Sequence, residues 1–401
     1  MSVEESGRRA TARAARELQR LGGHHETPPR IATRARGIAA LGALPLIGAQ
    51  RAMDADGPET FVYVSNAGTK DIYVLGMNRD TGELTMIEKA PVPGAEKTSL
   101  VSLPMALAPN KRYIYAQLRS EPYPVSTFSI DHTTGKLTHL DVTPLVDQIA
   151  YISVDKTSKY LLGACYVGAK VAVYPIDARY IVEDKATQII DTKPKAHCLF
   201  IDASNKHADV PVLGADYVMQ FKFDASTGML TPNYPPTVAT KAGAGPRHFT
   251  IHPNGKWGYL ITETTATIGI YSIDKNGTLT EVAFADTGDY NQKDPAFASD
   301  IHITPNGRFL YGAVRTTSML HGYEIDPEKG TLTGIGKWQT EKTPRGFNID
   351  PRGKFLLAVG MDSASLTVHA IDQKSGELKN VKQYPMGKQP NWVEIVDRIH
   401  D

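Results

Sequence analysis

The chain has 401 residues, 41% of them apolar and 8% aromatic, and its 44 basic against 43 acidic side chains leave a net charge of +1. Such a length builds either two or three domains or one large repeat assembly, and the balanced charge argues against a nucleic-acid footprint. Two cysteines, Cys165 and Cys198, exclude a disulfide scaffold and a Cys-rich zinc module, and no apolar run reaches the ~18 residues of a membrane helix.

Residues 1–56 differ from the rest. RRATARAARELQR (8–20) is rich in Arg and Ala, and Arg30, Arg34 and Arg36 precede a short apolar stretch, Ile38 to Ala49. This resembles the charged and apolar regions of a secretory signal, without a clean cleavage site. A disordered tail or an upstream start codon accounts for it as well, which leaves cytoplasmic and exported locations both open. The segment is set aside, and residues 57–401 are expected to form the folded domain.

From there the chain repeats one pattern. FVYVSN (61–66) and DIYVLGM (71–77) alternate in the period-2 manner of half-buried strands and close on Thr81-Gly82-Glu83-Leu84. MALA (105–108), YIYAQL (113–118) and VSTFSI (125–130) follow and close on Thr134-Gly135-Lys136-Leu137. YISV (151–154), YLLGAC (160–165) and KVAVYPI (170–176) come next, with IDARYIVED (176–184) as a degenerate close. CLFI (198–201), ADVPVL (208–213) and YVMQFKF (217–223) lead to Thr227-Gly228-Met229-Leu230. HFTI (248–251), GYLITE (258–263) and TIGIYSI (267–273) lead to Asn276-Gly277-Thr278-Leu279. DIHI (300–303), FLYGAV (309–314) and MLHGYEI (319–325) lead to Lys329-Gly330-Thr331-Leu332. GFNI (346–349), FLLAVG (355–360) and SLTVHAI (365–371) lead to Ser375-Gly376-Glu377-Leu378, and WVEIV (392–396) ends the series.

The glycines step by 53, 93, 49, 53 and 46 residues, the 93 being two periods. A period near 50 built of short strands predicts an all-β fold, a seven-bladed β-propeller. One small sheet cannot cover both its faces, so blades stack and bury each other's. First strands number six inside the chain. The seventh is WVEIV, expected to pair with FVYVSN and close the ring, which removes open edges.

The first strand of each blade lines the central channel and the second runs antiparallel to it. The start of the one and the end of the other therefore meet at one channel mouth. Aligned on the intervening turn, the starts are Leu103, Ala150, His197, Arg247, Ser299, Arg345 and Trp392, and the ends are Ala67, Arg119, Tyr166, Leu213, Glu263, Arg315 and Met361. Four arginines, one histidine, one glutamate and one tyrosine thus converge. Arginine crowded at a channel is costly unless it pairs or meets an anion, and its fork suits carboxylate or phosphate. The bland alternative is an Arg247–Glu263 pair that staples one blade. His248, Asp300 and His302 lie slightly further along the same strands, each readable as a packed residue, with the two histidines taken as secondary substrate contacts. His252, in an HPNG turn, is expected to be exposed, and Cys165 and Cys198 to be packed free thiols. No metal-ligand spacing, phosphate loop or nucleophile elbow is present in the sequence.

The phrases GPRHFTIHPNGKWGYLITE (243–263), AHCLFID (196–202), LGADYVMQFKFD (213–224) and DIHITPNGRFLYGAVR (300–315), with the D-x-x-T-G-x-L blade ends, resemble the seven-bladed propeller lactonases. That family includes bacterial 6-phosphogluconolactonases and fungal 3-carboxy-cis,cis-muconate lactonizing enzymes. The resemblance covers roughly residues 59–398 and implies a catalytic set of His197, Arg247, Glu263 and Arg315. The chain departs from relatives at Cys165-Tyr166 and at Asp209-Val210-Pro211. The expected activity is hydrolysis of a sugar-acid lactone, 6-phosphogluconolactone first, with Glu263 or His197 as base. Arg247 and Arg315 would stabilise the oxyanion, Arg345 and Arg119 would hold the anionic end, and Tyr166, His248 and His302 would line the site. No cofactor, metal, nucleic acid or membrane is called for. The alternatives are muconate-type lactonization by the same residues and a non-catalytic binding propeller. A quinone-dependent propeller is weaker, since Trp257, Trp338 and Trp392 are not spaced to stack.

Overall fold

A computed structural model describes residues 57–96 and 101–400, so the expectations for residues 1–56 lie outside it. Its strands form seven antiparallel sheets of four, arranged as a seven-bladed β-propeller. Beside them the described residues hold one short 3-10 turn, Leu213–Ala215. Numbering blades by their second strand, the first blade is closed by the C-terminal strand Pro390–Asp397, which pairs with Thr60–Asn66 from Thr60↔Asp397 to Ser65↔Trp392. The ring thus closes as the strand count requires. Thr60 Oγ1 donates to Asp397 Oδ1 at 2.6 Å across the join.

The repeated Gly-x-Leu phrase opens the outer strand of six blades, at Leu84–Pro91, Leu137–Pro144, Met229–Ala239, Leu279–Asp286, Leu332–Gln339 and Leu378–Pro385. In the third blade, where the phrase is missing, the outer strand shrinks to Gln188–Asp191 and the gap is bridged at Ile176↔Val182.

The core lies in the seams between blades. At the seam of the fifth and sixth blades, the Trp257 ring comes within 2.3 Å of where a Cβ on Gly330 would stand, and Gly330 has φ +71°. Only glycine meets both conditions, which is why the phrase keeps it. Two residues on, Tyr259 Oη donates to the Gly330 carbonyl at 3.0 Å, and Tyr63 and Tyr311 repeat this at Gly135 and Gly376. Each buried ring contributes about 1.5–3 kcal/mol. His252 departs from expectation: it is buried, and its Nε2 donates to the Gly307 carbonyl of the next blade at 3.0 Å. Its turn is covered by the neighbouring blade, which a reading of one turn alone does not reveal. Cys165 and Cys198 are buried free thiols, as expected.

The inner strands carry the feature that makes the site. Pro246–Ile251, Ala298–Ile303 and Pro344–Ile349 each slip register near their first residues, between Pro246/His248, Ala298/Ile301 and Pro344/Gly346. A bulge re-aims the side chain that leaves the ladder, and these are Arg247, Ser299 and Arg345. The C-terminal strand slips at Asn391, with Trp392 paired to Ser65 and Pro390 to Asn66. Asn391, not Trp392, is therefore the counterpart of Arg247. Trp392 stands one residue deeper, level with Tyr151, His248 and Asp300.

Candidate active site

At the mouth, Arg247 is buried to 1% exposure and uses its guanidinium in three directions. Nε donates to Glu263 Oε2 at 2.9 Å, and Nη1 donates to the Ser299 carbonyl and to His248 Nε2, the latter at 3.0 Å. Arg315, from the next blade, places Nη2 2.8 Å from the same Glu263 oxygen and donates Nε to the Phe297 carbonyl at 2.8 Å. Burial alone would raise the Glu263 carboxyl, but Arg247, Arg315 and Arg345 outweigh it and hold it below its ordinary value. Glu263 is therefore a carboxylate at neutral pH, with Oε2 doubly held and Oε1 accepting no hydrogen bond from the described residues.

Arg119 and Arg345 complete the set. Arg119 is buried and donates Nη1 to Ser102 Oγ at 3.0 Å, while its Nε is buried without a partner. Burial, with Arg247 nearby, pushes its guanidinium down to about 10. Arg345 is half-buried and makes no hydrogen bond or ion pair with any described residue. Burial and the Arg247, Arg315 and Arg119 guanidiniums all disfavour its charge, and Glu263 offsets only part of this. Three guanidiniums, those of Arg247, Arg315 and Arg345, thus act on one carboxylate, with that of Arg119 near Arg247.

His197 is buried beside Arg247, with Tyr166 edge-on at 5.4 Å and His248 at 5.1 Å between ring centres. Burial and then Arg247, His248, Arg345 and Arg119 hold it well below its ordinary value, so it is neutral, and its Nδ1 has no partner. The structure thus brings together His197, Arg247, Glu263, Arg315, Arg345, Arg119 and Tyr166, contributed by six blades. The space enclosed by His197, Arg247, His248, Arg345 and Asn391 is too tight for a lactone ring. Glu263, Arg315, Arg345 and Tyr166 are partly exposed at the mouth.

Below the mouth, His248 is fixed in one tautomer. Arg247 only donates, so His248 Nε2 accepts, and Nδ1–H donates to Asp300 Oδ1 at 2.8 Å. Burial, then Arg247, push this imidazole down to about 4 against the pull of Asp300. Asp300 also accepts from the backbone N–H of Ile301 and Phe347 at 3.0 and 3.1 Å. His302 is not at the mouth. It lies two residues deeper, 3.3 Å from Asp300, in a cavity of about 250 Å³ with Glu394, Tyr151 and Trp392. Tyr151 stacks edge-on with both His248 and Trp392, so these rings form the floor between mouth and cavity.

Asn391, Ser102 and Glu394 were not singled out from the sequence. The prolines give the signal for Asn391, since Pro246-Arg247, Pro344-Arg345 and Pro390-Asn391 align, and Asn391 Oδ1 caps the Leu103 N–H at 2.8 Å. Glu394 has a measurable consequence. Burial, reinforced by Asp300 and opposed by the Trp392 N–H and His302, lifts its carboxyl to about 7. The folded chain then holds a proton that the unfolded chain has released above about 4.3. Stability therefore falls as pH rises from there to about 7. His302, raised on balance by Asp300 against burial, adds a further decline above its unfolded value of about 6.5. Urea unfolding of Glu394→Gln should lack the first decline, worth on the order of 3–4 kcal/mol, and keep the second.

The family described as "Lactonase, 7-bladed beta-propeller" matches residues 95–395. The chain belongs to that lactonase family. Among curated relatives, a 6-phosphogluconolactonase of Pectobacterium carotovorum is 36% identical over 336 residues, 84% of this chain and 98% of the relative. One from Yersinia enterocolitica is 36% identical over 338 residues, with the same coverage. Among solved structures, a periplasmic gluconolactonase of Pseudomonas aeruginosa superposes with TM-score 0.76 at 22% identity, over 85% of this chain and 99% of that one. The lactonase family thus has the seven-bladed ring that the repeat predicts, and this chain is an enzyme of the lactone-hydrolysing type.

Proposed function

We propose that this lactonase hydrolyses 6-phosphogluconolactone, water adding to the ring carbonyl and the ring oxygen leaving as a hydroxyl. The observation that carries this reading is the mouth cluster, in which three guanidiniums surround Glu263 or its neighbours and a fourth, Arg345, is unpaired. The names of the 36%-identical relatives point to the same substrate. Glu263 Oε1 is the base that takes a proton from the attacking water. Arg247, held by Glu263, His248 and Ser299, and Arg315 present fixed donors to the oxyanion that forms. The neutral His197 and Tyr166 wall the site. Arg345 holds the phosphate, with Arg119 behind it.

A lactone panel tests the reading. Acid release is followed by pH indicator, with each rate corrected for spontaneous hydrolysis. The expected order of kcat/KM places the phosphorylated gluconolactone above the unphosphorylated one and a muconate-type diacid lactone last. A diacid lactone turned over fastest would replace this substrate, and no turnover of any lactone would leave a binding propeller.

A further inference from the structure

The seam between the fourth and fifth blades carries an ionisable residue where the other six blades place a tyrosine or a leucine. At the third residue of the second strand, four blades place a tyrosine, Tyr63, Tyr115, Tyr259 and Tyr311, each reaching a backbone carbonyl across the seam. Leu162 and Leu357 take that place in two more, and Asp209 takes it in the fourth blade. The glycine that the missing tyrosine would reach is Gly277, where His207 replaces the aromatic ring that stacks on the equivalent glycines. Aspartate is shorter than tyrosine by a whole ring, and a cavity of about 460 Å³ lies there, walled by Phe200, Ile251 and Ile273 with His207, Asp209 and Gly277. It opens on the face away from the arginine mouth, beside the Asp202–Ser204 and His252–Gly255 turns.

Asp209 is 3% exposed, its Oδ1 is buried, and neither of its oxygens accepts a hydrogen bond from a described residue. The neighbouring Asp202 is fully used by His207, Ser204 and two backbone N–H groups. A buried carboxyl without a donor is costly, and natural chains rarely keep one unless something supplies the donor. Burial, with Asp202 adding, raises the Asp209 carboxyl well above its ordinary range, so it holds its proton while the cavity is empty and would give it up as a cation arrives.

We propose that this seam cavity binds a small primary amine with an apolar or aromatic body, its ammonium on Asp209 and its body between Phe200, Ile251 and Ile273. Apolar walls with a few placed polar groups, here Asp209 and His207 among them, are the usual design of a small-ligand pocket. The Lys156 and Lys275 side chains stand at the rim, so a second cationic group on the ligand would be disfavoured there.

The test titrates the full chain with benzylamine by calorimetry, with p-cresol, the same ring without the ammonium, as control. Benzylamine is expected to bind saturably at one site, and p-cresol at least ten-fold more weakly. Asp209→Asn, nearly the same shape, should weaken benzylamine at least ten-fold, and Asp209→Tyr, which rebuilds the seam, should abolish binding. Both variants should keep the lactonase rate of the parent, which also reports that they fold. Should Asp209→Tyr fail to fold, the Asn variant alone decides. No saturable binding by about 10 mM benzylamine, equal affinity for p-cresol, or undiminished affinity in Asp209→Asn would each overturn the assignment.

Discussion

Glu263→Gln is expected to lower kcat by about two decades or more, the usual cost of losing a positioned base. The amide has nearly the same volume, and its oxygen can still accept from Arg247 Nε and lie beside Arg315 Nη2, so the cluster should stay in place. What is lost is the unengaged second oxygen and its negative charge. KM should change far less than kcat, since no binding group is removed. The pH profile gives an independent reading. Arg247, Arg315 and Arg345, acting against burial, hold this carboxyl below its ordinary value. The base form is then present throughout the neutral range and is lost only as pH falls through that low value. The parent should show an acid limb below the usual carboxylate range, and the Gln variant should lose that limb along with the rate. His197→Asn provides the contrast. The neutral His197 has its Nδ1 buried, so its removal should cost less in kcat. Turnover unchanged in Glu263→Gln would remove Glu263 from the mechanism and pass the base to His197.

The ring was legible because its signals are local and repeated. A glycine recurring at a period near fifty, required by positive φ and by an aromatic ring of the preceding blade, marks six of the seven seams even where the strands themselves are short. Ring closure followed from counting inner strands. The convergence of Arg247, Glu263, His197, Arg315, Arg345, Arg119 and Tyr166 followed from one geometric rule about strand ends. Register was harder. Alignment on the turns puts Trp392 at the mouth because it counts residues, while the bulge at Asn391 adds one residue that no count from the turn reveals. His302 and Glu394 lie two residues beyond the layer of Asp300 and Trp392, and a strand alternation shows that spacing but not the ring of Tyr151, His248 and Trp392 that separates them from the mouth. The hydrogen-bond chain from Asp300 through His248 and Arg247 to Glu263 joins two blades, and side-chain contacts of that kind leave no spacing in the sequence.

Arg345→Ala separates phosphate binding from ring opening. Arg247 is committed to Glu263, His248 and Ser299, Arg315 to Glu263 and Phe297, and Arg119 to Ser102, whereas Arg345 has no partner among the described residues and is partly exposed at the mouth. It is the cation with a free fork to offer. A hydrogen bond to a charged group is worth about 1.5–3 kcal/mol, so kcat/KM for 6-phosphogluconolactone should fall roughly 10- to 150-fold, mostly through KM. The unphosphorylated lactone has nothing for Arg345 to hold, and its kcat/KM should change by less than about three-fold. Arg345→Lys should restore only part of the loss, because an ammonium is a point charge and cannot grip two phosphate oxygens in one plane. Equal losses on both lactones would move Arg345 from the phosphate to the reacting carbonyl, and no loss on either would leave the unpaired guanidinium without a role in binding.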